Sequence, residues 1–446
     1  MTSSHSITAL RRRFPAHFVW GVATSAFQIE GAARADGKGP SIWDDFCRVP
    51  GVIADGSNGD IACDHYNRLE SDLDLIAQLG VQAYRFSISW PRVQPTGVGA
   101  VNAAGLSFYE RLIDGLLARK IRPYATLYHW DLPAELQRRH AGWMSRETAH
   151  RFADYVHIVA RKLGDRVESF ATHNEPWVTA VLGHERGIFA PGVRDRRVAY
   201  QVGHHVLVSH ALAMQAIRAT RSTAQAGIVL NMSPVYPATD SHIDATHARL
   251  EDGRLVRWYM DALFKSSYPA DILEHLGADV PQVQPGDAEL IAQPLDFLGV
   301  NYYSPTVSSE SNWSAPAASG AVVTDMGWEV APQSLVDLLS RLHRDYRLPP
   351  LFITENGAAY QDQVVGERVE DEQRRQYIES HLEAVAEAIE RGVDVRGYFV
   401  WSLMDNFEWA EGYRKRFGIV HVDYSTLRRT LKSSALWYQA LLAQTT

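Results

Sequence analysis

Eight short apolar runs alternate with longer amphipathic stretches along this chain of 446 residues, and that alternation limits the folds open to it. The runs are 18–23, 83–90, 122–128, 168–172, 227–232, 296–302, 351–354 and 395–401. Between them lie helix-like stretches such as 68–79, 104–118, 146–162, 199–219, 333–344 and 373–391. The runs lack period-2 alternation, so both faces of each should be buried, as in a parallel sheet covered by helices. Eight is the number that closes a barrel. The expected fold is α/β: a single-domain (β/α)8 TIM barrel over residues 1–446, its core at about 14–440, with elongated βα loops at one face. The Ser-, Ala- and Gly-rich stretch 308–325 reads as one long loop.

In such barrels chemistry gathers at the C-terminal ends of the strands. Those ends are polar and aromatic here: Gln28-Ile29-Glu30, Arg85, His129-Trp130-Asp131, His173-Asn174-Glu175, Asn301-Tyr302-Tyr303, Glu355-Asn356-Gly357, and Trp401 followed by Glu408-Trp409. The seventh run stops abruptly at Glu355, with Pro349-Pro350 barring a helix before it and Asn356-Gly357 supplying turn chemistry after it. Alone, that is a strand entering a turn with an exposed glutamate. Glu175 changes the reading, because it ends strand four, which faces strand seven across a closed barrel. Two carboxyls confronting each other in a partly desolvated pocket cannot both ionise cheaply, so one pKa rises and the other falls. Glycoside hydrolysis uses such a pair.

Composition excludes other classes. Hydrophobic residues are 46% and charged residues 22%, ordinary for a soluble globular chain. A net charge of −8 argues against a nucleic-acid or membrane surface. The basic run Arg11-Arg12-Arg13 is followed by no apolar signal segment, and Cys47 and Cys63 form no disulfide framework; the expected location is the cytoplasm. HExxH, GxGxxG and GxxxxGK[ST] are absent, so neither a metal nor a nucleotide cofactor is expected. Nothing in the surface pattern indicates an assembly state.

Asn174-Glu175-Pro176, Thr354-Glu355-Asn356-Gly357, Gln28-Ile29-Glu30-Gly31, the segment from Tyr84 to Arg92, and Asn406-Phe407-Glu408-Trp409 resemble glycoside hydrolase family 1, the β-glucosidase family. The resemblance runs from about Phe14 to Trp437, with the motifs in the family's order. It implies Glu175 as acid/base and Glu355 as nucleophile of a retaining enzyme, their carboxyls about 5–5.5 Å apart. Arg85 can pair with Glu355 and keep it ionised, leaving Glu175 protonated beside that charge. Either Tyr302 or Tyr303 could donate to Glu355 from the residues alone; the resemblance favours Tyr303.

The resemblance further implies a glycone site of Gln28, His129, Trp130, Asn174, Asn301, Tyr303, Trp401, Glu408, Trp409 and Phe417, with Trp401 as the platform under the ring. Glu408 would repel a 6-phosphate, which points to unphosphorylated β-glucosides, β-fucosides or β-galactosides despite the cationic run Arg414-Lys415-Arg416. Trp177 and Trp328, with His184, are expected around the leaving group, which suits cello-oligosaccharides and aryl glucosides.

Overall fold

The computed structural model describes residues 4–315 and 320–444. Eight parallel strands close on themselves in chain order: β1 Val19–Ala23, β2 Ala83–Ser87, β3 Arg122–Thr126, β4 Ser169–Asn174, β5 Gln225–Asn231, β6 Phe297–Asn301, β7 Leu351–Asn356 and β8 Val395–Trp401, which pairs back onto β1. Around them run α1 Leu69–Gln78, α2 Ala103–Ala118, α3 Arg146–Leu163, α4 Arg196–Ala219, α5 Trp258–Lys265, α6 Pro332–Asp345, α7 Glu372–Glu390 and α8 Ser433–Leu442. This is one (β/α)8 barrel domain, as its strand count required.

The strands read as unbroken apolar runs because two separate cores claim their alternate residues. Trp20, Val22, Tyr84, Phe170, Leu298, Ile353 and Tyr398 point outward, into the layer shared with the helices. Val19, Ala83, Tyr124, Val229, Phe297, Phe352 and Phe399 point inward and plug the barrel floor. That floor needs Gly21, since a Cβ there would stand 2.4 Å from a ring carbon of Phe399. The helices dock through ordinary amphipathic stripes: α6 starts on Pro332 and buries Leu335, Leu338, Leu339 and Leu342. α3 is capped by Ser145, whose hydroxyl accepts from Glu147 N.

Several boundaries differ from expectation. β2 ends at Ser87, not residue 90, because Ser89 starts the short helix Trp90–Val93 with Pro91 in its first turn. β4 and β7 run further than their apolar cores, to Asn174 and Asn356, because those polar ends still pair with the adjacent strands, Asn174 with Val229 and Asn356 with Val400. Stretch 308–325 is not one loop: Thr306–Ser309 and Asn312–Ala315 pair antiparallel, and Val235–Pro237 joins them. Residues 316–319 lie outside the described residues. Helices His242–Asp252, Trp258–Lys265 and Ala270–Leu276, before β6, are absent from the stretches expected from sequence. The first two join through the wide π-helical turn Gly253–Arg257, which shifts the 3.6-residue period, and the third has only seven residues.

Candidate active site

Polar residues replace apolar ones at the barrel mouth, and the strands that carry the two acids lose their register there. Pairing of β4 with β5 skips from Ala171 to Asn174, and pairing of β7 with β6 skips from Ile353 to Glu355. Such irregularities re-aim side chains. Glu175 adopts a left-handed backbone with φ +50°, anchored by its N–H donating to Val229 O at 2.9 Å. Trp130 and Trp409, on the same wall, are also left-handed, at φ +79° and +48°. Each such residue costs roughly 1–3 kcal/mol and persists only where its surroundings over-determine it.

One hydrogen-bonded web joins the expected residues. Arg85 Nη1 donates to Glu355 Oε1 at 2.6 Å, and Arg85 Nη2 to Asn174 Oδ1 at 2.7 Å. Tyr303 OH donates to Glu355 Oε2 at 2.7 Å, whereas Tyr302 turns outward and donates to Ala331 O. The choice between the two tyrosines is thereby made. Asn301 Nδ2 donates to Glu175 Oε1 at 2.7 Å and to Asn174 Oδ1 at 3.0 Å, with Thr354 Oγ1 fixing the other end of its amide. Asn174 Nδ2 reaches His129 Nε2 at 3.2 Å, and Trp130 Nε1 donates to Asn174 O. Gln28 Nε2 donates to Asn406 Oδ1, Phe407 O and Glu408 Oε2. Asn356 is fully buried rather than a turn residue, donating to Tyr302 O and accepting from Tyr398 OH. Gly357 is required not for its φ but because Trp401 O lies 1.7 Å from where a Cβ would stand.

Charge is unequal across this web. Burial, then the neighbouring Glu355 charge, pushes the Glu175 carboxyl up to about 8. Burial also raises Glu355, but the Arg85 guanidinium, Tyr303 and Asn301 oppose it. Glu355 is therefore the ionised member and Glu175 holds the proton at neutral pH. Glu408 is pushed to about 8 by burial and then by Glu355. The fully buried His129 is held well below its ordinary value, first by desolvation and then by Arg85, and is neutral.

A cavity of about 270 Å³ opens over the pair. His129, Trp130, Glu175, Asn301, Tyr303, Glu355, Trp401, Glu408, Trp409 and Phe417 line it, and Trp177 and Trp328 stand at its rim. Gln28, Asn174 and Arg85 do not line it; Gln28 stands behind Glu408, Arg85 behind Glu355, and Asn174 is held between Arg85, His129 and Asn301. His184 is a correction: it is buried, its Nδ1 against Thr179 O, and it takes no part in the cavity wall. Phe189, Met326, Asn231 and Met232 also line the cavity. Asn231 and Met232 close the fifth run, 227–232, whose end is missing from the polar strand ends above, whereas Phe189 carried no signal and Met326 only its place two residues before Trp328.

The arrangement is an acid and an anion side by side at the floor of an aromatic pocket, and the chain's likeness to known proteins agrees with it. The model of glycosyl hydrolase family 1 matches residues 10–446. The chain belongs to that family. It is 48% identical over 99% of its length to a β-glucosidase of Agrobacterium sp., covering 97% of that protein, and 46% identical over 96% to β-glucosidase A of Acetivibrio thermocellus, covering 98%. Among solved structures, virulence factor SghA bound to its substrate analog salicin superposes with a TM-score of 0.95 at 48% identity, covering 98% of both chains. A family 1 β-glucosidase from Thermotoga maritima gives 0.94 at 44%, covering 97% of this chain and 98% of that one. This family 1 chain is accordingly an enzyme, a hydrolase of O-glycosyl bonds. Among the described residues no helix is long and apolar enough to cross a membrane.

Proposed function

We propose that this family 1 enzyme is a retaining β-glucosidase that removes terminal β-D-glucosyl residues by double displacement. The observation that carries this reading is the ion pair between Arg85 and Glu355 at 2.6 Å beside a Glu175 carboxyl that keeps its proton to about pH 8. Glu355 attacks the anomeric carbon while Glu175 protonates the departing oxygen. Esterification then removes the Glu355 charge, the Glu175 pKa falls, and Glu175 takes a proton from the attacking water. Asn301, which touches Glu175 and also acts on Glu355, supports the close carboxyl spacing that retention requires.

Glycone recognition falls to Glu408 at the 4- and 6-hydroxyls, His129 on the far edge and Trp401 beneath the ring, with Gln28 holding Glu408 and Asn174 holding His129 from behind. An unphosphorylated sugar is favoured because the nearby cations are engaged elsewhere: Lys415 Nζ donates to Asp325 O, and Arg416 to Asp405 Oδ2. Fucosides and galactosides fit the same Glu408 carboxyl group, and the rim of Trp177 and Trp328 suits aryl aglycones and cello-oligosaccharides. Both cysteines are free thiols, which agrees with a reducing cytoplasm.

Release of nitrophenol from nitrophenyl β-glucoside is the first test, and no release sinks the proposal. A 2-fluoroglucoside inactivator should leave its sugar on the peptide containing Glu355; a label elsewhere overturns the nucleophile. Glu175→Ala should be rescued by azide to give a β-glycosyl azide, and an α-azide would mean the wrong acid/base was assigned.

A further inference from the structure

The segment 406–417 carries three cavity-lining residues, Glu408, Trp409 and Phe417, yet neither end of it lies in a barrel strand. Its two ends meet at a single carboxylate. Asp405, immediately before the segment, accepts from Gly418 N, immediately after it, at 3.1 Å on Oδ1. The approach is close enough that a Cβ on Gly418 would stand 2.0 Å from Asp405 N. The same Oδ1 accepts from Lys432 Nζ at 2.7 Å, while Oδ2 accepts from Arg416 Nη1 at 2.6 Å and Val422 N at 3.3 Å. All four donors fall on one buried group. Charge-assisted bonds of this kind are the stronger ones, and a donor removed from a fully buried carboxylate leaves an exposed cost.

Lys432 is completely buried just before α8, and its ammonium bridges Asp405 to Asp362 Oδ2 at 2.7 Å. Asp362 in turn takes Arg374 Nη1 at 2.8 Å, from α7. Asp362, Asp405 and His421 would otherwise make a small cation site, and the lysine supplies the cation. One residue beyond Asp405, Asn406 Oδ1 accepts from Gln28 Nε2, the same amide nitrogen that donates to Glu408 Oε2. Tyr424 OH holds the Asn406 carbonyl. Displacing Asp405 therefore displaces the frame from which Glu408 reaches the sugar.

We propose that Asp405, with Lys432 and Arg416 as its charge partners, is a positioning residue for glycone selection: it clasps the base of the 406–417 segment and thereby fixes Glu408 toward the hydroxymethyl group of the sugar. The proposal rests on the β-glucosidase reading of the same cavity. Because Glu408 also takes the 4-hydroxyl, a clasp that sets it costs more on substrates that add a 6-hydroxyl than on those with the 4-hydroxyl alone, whereas general loosening of the fold costs both alike.

The test compares kcat/KM on nitrophenyl β-glucoside and nitrophenyl β-xyloside, which lacks that hydroxymethyl group, for the full-length native enzyme, Asp405→Asn and Arg416→Gln. Asp405→Asn should lower the glucoside value at least tenfold more than the xyloside value. Arg416→Gln, on a side chain 24% exposed and leaving Lys432 in place, should shift the ratio about threefold in the same direction. Equal losses on both substrates overturn the clasp and leave Asp405 a structural residue. Should Asp405→Asn give no folded enzyme, an unchanged ratio in Arg416→Gln overturns it instead. A native enzyme inactive on both substrates counts against the β-glucosidase reading. The clasp is then judged by tryptophan fluorescence titrations, in which Arg416→Gln should weaken D-glucose relative to D-xylose, and equal weakening or none refutes it.

Discussion

The floor of the cavity and its rim are built by different means. At the floor, Arg85, Asn174, Glu175, Asn301 and Glu355 project from strand ends, are buried, and constrain one another through hydrogen bonds of 2.6–3.0 Å. At the rim, Trp177, Phe189, Met326 and Trp328 come from connecting segments, remain partly exposed, and meet their neighbours through rings: Trp328 packs 5.4 Å from Tyr303, and Arg186 lies over Trp177. A floor fixed by directional bonds holds charge in place before substrate arrives, which is the condition for electrostatic preorganisation. A rim whose backbone is hydrogen-bonded, as where Thr324 N donates to Trp328 O, but whose side chains meet only ring and apolar neighbours can adapt those side chains to the group it receives. Chemistry and leaving-group choice should thus respond separately to mutation.

The largest effect that could break this division is at the nucleophile. Glu355→Gln should lower kcat by at least about 10⁴-fold, with the folded state intact. Activity within 100-fold of native would place the covalent step elsewhere. Arg85→Met should cost on the order of 10²–10³ in kcat/KM, because it removes the charge that keeps Glu355 ionised. The Glu355 pKa then rises, so the acid limb of the kcat/KM profile should move to higher pH; an unmoved limb would mean the ion pair serves packing alone.

At the rim the expected effects are smaller and of another kind. Trp328→Ala should raise KM for aryl glucosides roughly three- to tenfold, since stacking contributes about 1 kcal/mol, while kcat stays within about twofold. An equal fall in kcat would show that the rim also orders the floor through Tyr303.

The floor was far more legible in the sequence than the rim, for a physical reason. A strand end in a closed barrel has a fixed place and direction, so Glu175, Glu355, Arg85 and Asn301 could be set around one mouth from strand counting. The floor's misreadings were local: Asn356-Gly357 has turn chemistry, but packing against Trp401 O and Tyr398 overrides it. Rim residues hang on segments whose course depends on many weak contacts. Phe189 reaches the cavity through packing on Trp43, Trp130 and Trp409, a path no spacing encodes. His184 failed for the converse reason, because a histidine near Trp177 in sequence was turned into the core by its bond to Thr179 O.

The same division should be visible in stability. Glu175 titrates near 8 in the folded chain against an ordinary value of 4.5, so between those pH values the folded state holds a proton that the unfolded chain releases. Protonation of this group therefore favours the fold fully below about pH 4.5, and that contribution drains away as pH rises toward 8. Glutamine at this position carries no charge to desolvate and keeps an acceptor for Asn301. Glu175→Gln should consequently raise Tm by about 2–5 °C at pH 8 and leave it nearly unchanged at pH 4.5, by thermal unfolding followed at both values. Trp328→Ala, which touches no buried charge, should shift Tm by the same small amount at both. If Glu175→Gln were equally stabilising at both pH values, the gain would come from packing rather than from the proton. The floor would then differ from the rim in geometry alone.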